Sequence, residues 1–144
     1  MSEREKLTMK GKTLVVEREV TATKIVEGEG LVEYFSIHDP KFPPNLNEIR
    51  GRPATIVEGE GFRLELSKRR GGKMDFWHRN LEQDELIFIV QGKAKWYTEL
   101  GTYEMKAGEI LIIPKGIAHK VEPLGDGDYV ALEIKSSYLR KVQE

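Results

Sequence analysis

Short runs of branched and aromatic residues recur along most of the chain, and glycine, proline, asparagine or aspartate separates one run from the next. Runs of this length and spacing are typical of β-sandwiches and barrels. No stretch has a convincing helical period, with the polar tail 136–144 as the one candidate exception. The pattern predicts an all-β fold with these strands: Thr13–Val20, Leu31–Ile37, Phe62–Ser67, Met74–Arg79, Glu85–Gln91, Ala94–Leu100, Gly108–Ile113, Ile117–Glu122 and Asp128–Ile134.

The pattern also predicts the domain organisation. Residues 1–12, MSEREKLTMKGK, are charged and have no apolar core, so we expect a flexible N-terminus rather than a secretory signal. Residues 13–144 contain no obvious linker, and a chain of 144 residues suits one hydrophobic core, so we expect a single domain there. Segment 38–53 is too rich in proline and asparagine for a central strand and is expected to be a long ordered loop of unassigned role.

The composition excludes several classes of function. The absence of cysteine excludes disulfides, thiolate catalysis and sulfur-ligated metal clusters. A net charge of −1 offers nucleic acid little attraction, and the longest apolar runs, 86–90 and 110–113, are too short to span a bilayer. We therefore expect a cytoplasmic protein that binds neither nucleic acid nor membrane. Abundant lysine and glutamate without cysteine also suggests a thermophilic source.

Two histidines and one glutamate are the candidate chemical groups. His78 lies near the end of one predicted strand, Glu85 begins the next after a polar segment, and a turn at 114–116 leads to His119. On the inner side of a barrel these three side chains would form the 2-His-1-carboxylate set that binds Fe(II) and similar ions. We predict a divalent metal site, with iron preferred and manganese, zinc, nickel or copper as alternatives. The other interpretation is that the three residues line the barrel through hydrogen bonds, without a metal.

Four neighbouring residues complete the predicted site. Because a strand repeats every two residues, Phe76 and Asn80 should share the face of the first histidine. We expect Asn80 to support the metal site from the second shell or to act as a weak ligand. Phe76, with Ile87 and Ile89 of the next strand, is expected to form the pocket wall. His38 matches no motif and is expected to be a surface residue.

The spacing of these residues resembles the cupin superfamily. The first cupin motif is G-x5-H-x-H-x(3,4)-E-x6-G, and the second is G-x5-P-x-G-x2-H-x3-N. Asn80 replaces the second histidine of the first motif, and Pro123 replaces the final asparagine of the second. The resemblance implies a single cupin β-barrel of the jelly-roll type. The matching positions are Gly72, His78, Glu85, Gly92, Gly108, Pro114, Gly116 and His119.

A narrower resemblance is to one cupin half of homogentisate 1,2-dioxygenase, through the stretch FWHRNLEQDELIFIVQG and the stretch 97–121. It implies a dioxygenase-like enzyme that acts on a small aromatic or oxo compound with Fe(II) and O₂. The alternatives are a non-catalytic cupin that binds a small ligand and a metal-dependent isomerase or epimerase. Small cupins are often dimers, so we expect a homodimer with a small-molecule substrate or ligand.

Overall fold

A computed structural model describes residues 3–42, 52–71, 74 and 76–143. All the regular structure of these residues is β, which confirms the predicted fold class. No helix in this part of the chain is long and apolar enough to cross a membrane. The strands are β1 (Glu3–Met9), β2 (Lys12–Arg18), β3 (Thr23–Glu27), β4 (Ala54–Gly59), β5 (Phe62–Arg69), β6 (Asp84–Gln91), β7 (Lys93–Thr98), β8 (Gly101–Lys106), β9 (Ile110–Ile113), β10 (His119–Leu124) and β11 (Tyr129–Ser136).

The first compact unit, residues 1–36, contains the antiparallel sheet β1-β2-β3. Lys10 and Gly11 join β1 to β2 with φ angles of 53° and 71°. Two consecutive positive φ angles are the feature of the tight hairpin turn that matches strand twist. The described residues of segment 1–12, which we expected to be flexible, lie in a hairpin in which β1 pairs with β2 along its whole length. The proposed domain boundary after residue 12 falls at the hairpin.

The second compact unit, residues 37–144, contains the other two sheets, with strand orders β4-β5-β11-β6-β9 and β10-β7-β8. Its core draws on both sheets, so the sheets pack face to face as in a jelly roll. Trp96 of β7 donates a hydrogen bond from Nε1 to the hydroxyl of Tyr129 on β11, 3.1 Å away, which links the two sheets. The buried core residues are Met74, Ile87, Ile89, Ala94, Trp96, Met105, Ile113, Val121, Tyr129 and Ala131.

The inner face of the five-stranded sheet is apolar at one end and charged at the other. Register places Glu65 opposite Glu133 and places Lys135 opposite Glu85. All four side chains are buried or partly buried. Because side chains alternate along a strand, these residues share the face that also carries Ile87. The charged end of the barrel is where the candidate site lies.

Two predicted strands do not form. Residues 31–36 make no strand, and Val32 and Tyr34 are 91% and 94% exposed, so this apolar segment lacks a sheet partner among the described residues. Among the described residues of segment 74–79, His78 forms an isolated bridge to His119 and the N–H of Met74 donates to the carbonyl of Val121, but no continuous strand results. The tail 137–143 is not helical. In contrast, β1, β3, β4 and β8 are strands that the hydrophobic pattern missed, because their exposed faces carry charged residues.

The predicted long loop is described only at its two ends. Residues 43–51 of the loop, like Gly72 of the first motif, lie outside the described residues. At the near end, Lys68 of β5 donates from Nζ to the carbonyl oxygens of Ile37 and Phe42. These two hydrogen bonds hold the start of the loop against the five-stranded sheet. His38 is exposed, as expected.

Candidate functional site

The two histidines predicted to converge are directly paired. The backbone N–H of His119 donates to the carbonyl of His78 at 2.9 Å, and the N–H of His78 donates to the carbonyl of His119 at 3.1 Å. Their ring centroids are 4.4 Å apart in an edge-to-face arrangement. The turn at Gly116 contributes to this pairing, because its N–H donates to the carbonyl of Asn80 at 2.7 Å. The loop before β6 and the start of β10 therefore approach each other in a fixed register.

The side chain of Glu85, near the start of strand β6, reaches the same point. Its Oε2 lies 2.7 Å from Nε2 of His119, and both side chains are almost completely buried. The other ring nitrogen of His119, Nδ1, donates to the carbonyl of Ile117 at 3.0 Å. A backbone acceptor on Nδ1 fixes the ring so that Nε2 is the atom presented to the carboxylate.

Two buried polar atoms at this point have no hydrogen-bond partner in the described part of the chain. They are Nδ1 of His78 and Oε2 of Glu85. The oxygen is nevertheless within ion-pair distance of Nε2 of His119, so the nitrogen of His78 is the atom at this point without any polar contact among the described residues. Buried polar atoms in proteins are nearly always paired, so unpaired ones indicate strain or a ligand position.

The electrostatic environment shifts the pKa values of the two imidazoles in opposite directions. Burial opposes charge on His119, but the Glu85 carboxylate outweighs it and raises the pKa of His119 above its ordinary value. Burial also opposes ionisation of Glu85, and contact with His119 nevertheless lowers the pKa of that carboxyl. Burial, followed by the charge of His119, lowers the pKa of His78 to about 4. The site therefore favours a proton on His119 beside the Glu85 carboxylate, whereas His78 is a neutral imidazole at neutral pH.

A cavity of about 790 Å³ opens beside His78 at the charged end of the barrel. Its volume is in the range that small-molecule sites occupy. Phe76 lies on its wall, with its ring centroid 5.9 Å from that of His78. The side chains of β5 and β11 that line it are Arg63, Glu65 and Lys135. His78 thus lines an open pocket of mixed polar and apolar character, and His119 and Glu85 are not among the described residues that line it.

Comparison with known proteins agrees with this architecture. Residues 67–135 match the family model described as "Cupin domain". This part of the chain is therefore similar to cupin domains. A cupin-2 domain protein from Shewanella frigidimarina NCIMB 400 is 25% identical, with a TM-score of 0.50, over 59% of this chain and 79% of that chain.

Two further solved structures show the same fold at lower identity. The Schizosaccharomyces pombe Cnp3 cupin domain is 16% identical, with a TM-score of 0.61, over 81% of this chain and 72% of that chain. KdgF from Halomonas sp. is 17% identical, with a TM-score of 0.53, over 60% of this chain and 79% of that chain. These two comparisons show the fold alone, and they do not extend to the narrower resemblance to homogentisate 1,2-dioxygenase.

The residues of this site meet only some of the requirements for binding a metal ion. No group of three or more histidine, aspartate or glutamate side chains within the described ranges has the spacing of a metal site. Adjacent ligands of a metal at about 2.1 Å lie roughly 3 Å apart, so Glu85 and His119 already have a suitable separation. His78 supplies a neutral nitrogen without a partner. Its ring would have to reorient to complete the set.

Asn80 forms the turn before β6. Its side-chain oxygen accepts backbone N–H groups of Glu82 and Gln83, both at 2.9 Å. This Asx-type turn reverses the chain before β6. The expectation that Asn80 shares a face with His78 relied on a strand at 74–79, and without that strand the alternation rule does not apply. Asn80 therefore positions Glu85 through the backbone, and its support of a metal site stays a prediction.

The predicted pocket wall is correct for one residue of three. Phe76 lines the cavity. Ile87 and Ile89 are completely buried in the core between the two sheets and are not among the residues that line it. Both residues lie farther along β6 than Glu85, and they are therefore deeper in the barrel than the cavity. They support the floor of the site by packing and do not contact its cavity.

Sequence reasoning missed the charged row on β5 and β11. Lys135 forms an ion pair with Glu65, and its Nζ is 3.6 Å from Oε1 of Glu85. Burial, together with nearby carboxylates, raises the pKa of Glu133 to about 7. The sequence signal was the alternation of apolar and polar residues in ALEIKS, 131–136, but its polar residues could equally belong to a solvent-exposed face. Both faces of β11 are in fact covered by neighbouring structure or only partly exposed.

Proposed function

We propose that this cupin-like domain binds a divalent metal ion through His78, Glu85 and His119. The observation that supports the proposal is the 2.7 Å separation of Glu85 Oε2 and His119 Nε2 beside Nδ1 of His78, which is buried and has no hydrogen-bond partner among the described residues. Donor atoms of one coordination shell lie about this far apart. Imidazole nitrogen with carboxylate oxygen suits iron, manganese, zinc, nickel or copper, and we propose iron as the preferred ion.

The surrounding residues would keep the ligands ready for such an ion. The carbonyl of Ile117 holds the His119 ring through Nδ1, which is the usual orienting contact of a metal-binding histidine. The lowered pKa of His78 keeps its ring neutral, as coordination requires. Three protein ligands would leave coordination positions for a substrate on the cavity side. When bound, the metal would supply Lewis-acid or oxygen-dependent chemistry.

The specific reaction that we propose follows from the sequence resemblance. It is an oxygen-dependent, dioxygenase-like conversion of a small aromatic or oxo compound in the cavity. A metal-dependent isomerase or epimerase would use the same ligands without oxygen. The two reactions are distinguished by whether turnover consumes O₂.

A second candidate is a cupin that binds a small ligand without a metal. Lys135 favours it, because its ammonium group pairs with Glu65 and lies 3.6 Å from Glu85. A buried carboxylate beside a lysine and an imidazolium is already neutralised by the protein's own cations. This candidate predicts stabilisation by the ligand with no turnover.

Metal titration of the chelator-treated protein tests the first proposal. Calorimetry with Fe(II) under anaerobic conditions, and with Mn(II) and Zn(II), should show one site per chain. The His119→Gln variant should lose binding, whereas His38→Gln, at an exposed histidine outside the site, should retain it. Equal binding by His119→Gln, or no binding by the parent, would overturn the proposal. Oxygen uptake with a panel of catechols and hydroquinones then tests the reaction.

A further inference from the structure

The five-stranded sheet β4-β5-β11-β6-β9 is apolar on both of its faces. Its inner face contributes Ile87, Ile89 and Ala131 to the core between the two sheets. Because side chains alternate along a strand, the residues between these point away from the core. We call this second surface the outer face. Its apolar residues on β5, β6, β9 and β11 are Phe62, Leu64, Leu66, Leu86, Phe88, Val90, Ile110, Ile112, Val130, Leu132 and Ile134.

Strand register joins these residues into one continuous patch. Leu132 of β11 lies opposite Leu66 of β5 and Phe88 of β6. The next outward residue of β11, Ile134, likewise lies between two leucines. β11 is the middle strand of the five, so Leu132 and Ile134 lie at the centre of the outer face.

The outer face is only partly covered. At one end Lys68 holds the start of the loop by hydrogen bonds to the carbonyls of Ile37 and Phe42, and the neighbouring Leu66 is 2% exposed. At the edge strand β9, in contrast, Ile110 is 58% exposed. The residues that keep intermediate exposure are Phe62, Leu64, Leu86, Phe88, Val90, Ile112, Leu132 and Ile134. Most of the outer face therefore remains in contact with water.

Charge lies only at the corners of the outer face. On the described strands β5, β6, β9 and β11, its charged residues are Lys68 and Asp84. Lys68 lies opposite Val130 and Asp84 opposite Ser136, at the two ends of β11. Asp84 accepts two backbone N–H groups, and Lys68 donates to two loop carbonyls. The middle of the outer face can therefore lose its water without burying an unpaired charge.

The size of the outer face suits a dimer contact. Strands about 4.8 Å apart that rise about 3.3 Å per residue give it an area of about 500 Å². Two such faces would bury about 1,000 Å², which is the lower size limit of a specific protein interface. A single exposed apolar patch of this extent is uncommon on a monomer. An uncharged apolar face is complementary to a copy of itself, and twofold symmetry supplies that copy.

We propose that the outer face binds the outer face of a second copy of this chain, with β11 nearest the twofold axis. The two five-stranded sheets then pack face to face, as the layers of a β-sandwich do. The inference gives a location to the homodimer that the sequence leads us to expect. It is independent of the proposed metal site, because Glu85 points to the opposite face of β6.

Cross-linking through an introduced cysteine tests the position of the axis, since the chain has no cysteine of its own. Near a twofold axis the same residue of both copies lies close together. A short bis-maleimide linker should therefore join Leu132→Cys into a covalent dimer. Leu100→Cys, at a residue 72% exposed in the β7–β8 turn, is the matched control and should stay a single chain. Equal cross-linking of the two variants would overturn the proposal.

Light scattering after size exclusion tests the dimer itself. The parent should have twice the mass of one chain, and Leu132→Lys and Ile112→Lys should have half the parent's mass, because each puts a charge into the apolar contact. Leu100→Lys should remain a dimer. A parent that is monomeric at about 100 μM, or lysine variants that stay dimeric, would overturn the proposal. If circular dichroism shows that a lysine variant has lost its β structure, the cross-linking of Leu132→Cys decides.

Discussion

Lys135 lies directly opposite Glu85 in the register between β11 and β6, and its Nζ is 3.6 Å from Oε1 of Glu85. The same ammonium group pairs with Glu65, and both residues line the cavity. The protein therefore holds its own cation beside the carboxylate that we propose as a metal ligand. Such a lysine repels an incoming divalent ion and so opposes metal binding at Glu85.

Replacement of Lys135 by methionine tests this competition. We expect Lys135→Met to bind Zn(II) or Mn(II) about tenfold more tightly, because a competing cation has been removed. The metal-free variant should lose about 3–5 kcal/mol of stability, because buried carboxylates are left without their partner. Calorimetry and urea unfolding measure these quantities, with Lys93→Met at an exposed position as control. Unchanged metal affinity would show that Lys135 does not compete with the ion.

Asn80 allows a test of the turn before β6. Asn80→His places a histidine where the cupin motif has one, yet the structure uses this side chain to accept two backbone N–H groups. We expect Asn80→His to lose about 1–2 kcal/mol of stability without tightening metal binding. Asn80→Asp keeps a side-chain acceptor and should retain most of the stability. Tighter metal binding by Asn80→His would show that position 80 faces the ion.

Glu133 should make stability depend on pH. Burial raises its pKa to about 7, so the folded protein keeps a proton that the unfolded chain loses above its ordinary pKa of 4.5. The stabilisation from this carboxyl is complete below pH 4.5 and is lost as the pH rises to about 7.

Glu133→Gln imitates the protonated form and isolates this contribution from those of the histidines. The free energy of unfolding of the variant minus that of the parent should increase between pH 4.5 and 7 and then stay constant. The increase should reach at most about 3 kcal/mol. Glu104→Gln, at an exposed position on β8, should show no such change. A difference that does not vary with pH would contradict the raised pKa.

The sequence predicted the parts of the fold that local patterns determine. Apolar runs gave β5, β6, β7, β9, β10 and β11, and motif spacing brought His78 and His119 together. Glycine and proline at fixed offsets specify turns, and turns determine which strand ends meet. That is why the histidine pair could be predicted without knowledge of the packing around it.

The remaining features depend on contacts between distant residues. Lys135 and Glu65 are 70 positions apart, and their ion pair follows from the β5–β11 register, which no local pattern reveals. A charged residue in an alternating strand normally faces water, so Glu133 was indistinguishable from a surface residue. Likewise, the role of Asn80 depends on whether the chain at 74–79 forms a strand, and tertiary context decides that.

Comparing alanine substitutions at Gly92 and Gly116, two glycines of the cupin motifs, separates the cost of backbone strain from the cost of steric contact. Their φ angles are nearly equal, 81° and 83°, so alanine at either position should cost about 1–2 kcal/mol from the left-handed backbone alone. At Gly92 an added Cβ would also lie 2.6 Å from the carbonyl oxygen of Asp128, whereas at Gly116 it meets no atom of the described residues within 4 Å.

Gly92→Ala should therefore be the more destabilising change, by about 1–3 kcal/mol beyond Gly116→Ala. The clash is with backbone, which cannot rotate away, so the turn between β6 and β7 would have to move off the start of β11. Urea unfolding of both variants measures the difference. Gly116→Ala also tests the site, because Gly116 lies in the turn that precedes His119. The metal affinity of this variant should fall only if that turn shifts. Equal destabilisation by the two variants would contradict this prediction. It would show that the β6–β7 turn can move away from Asp128 without a loss of stability.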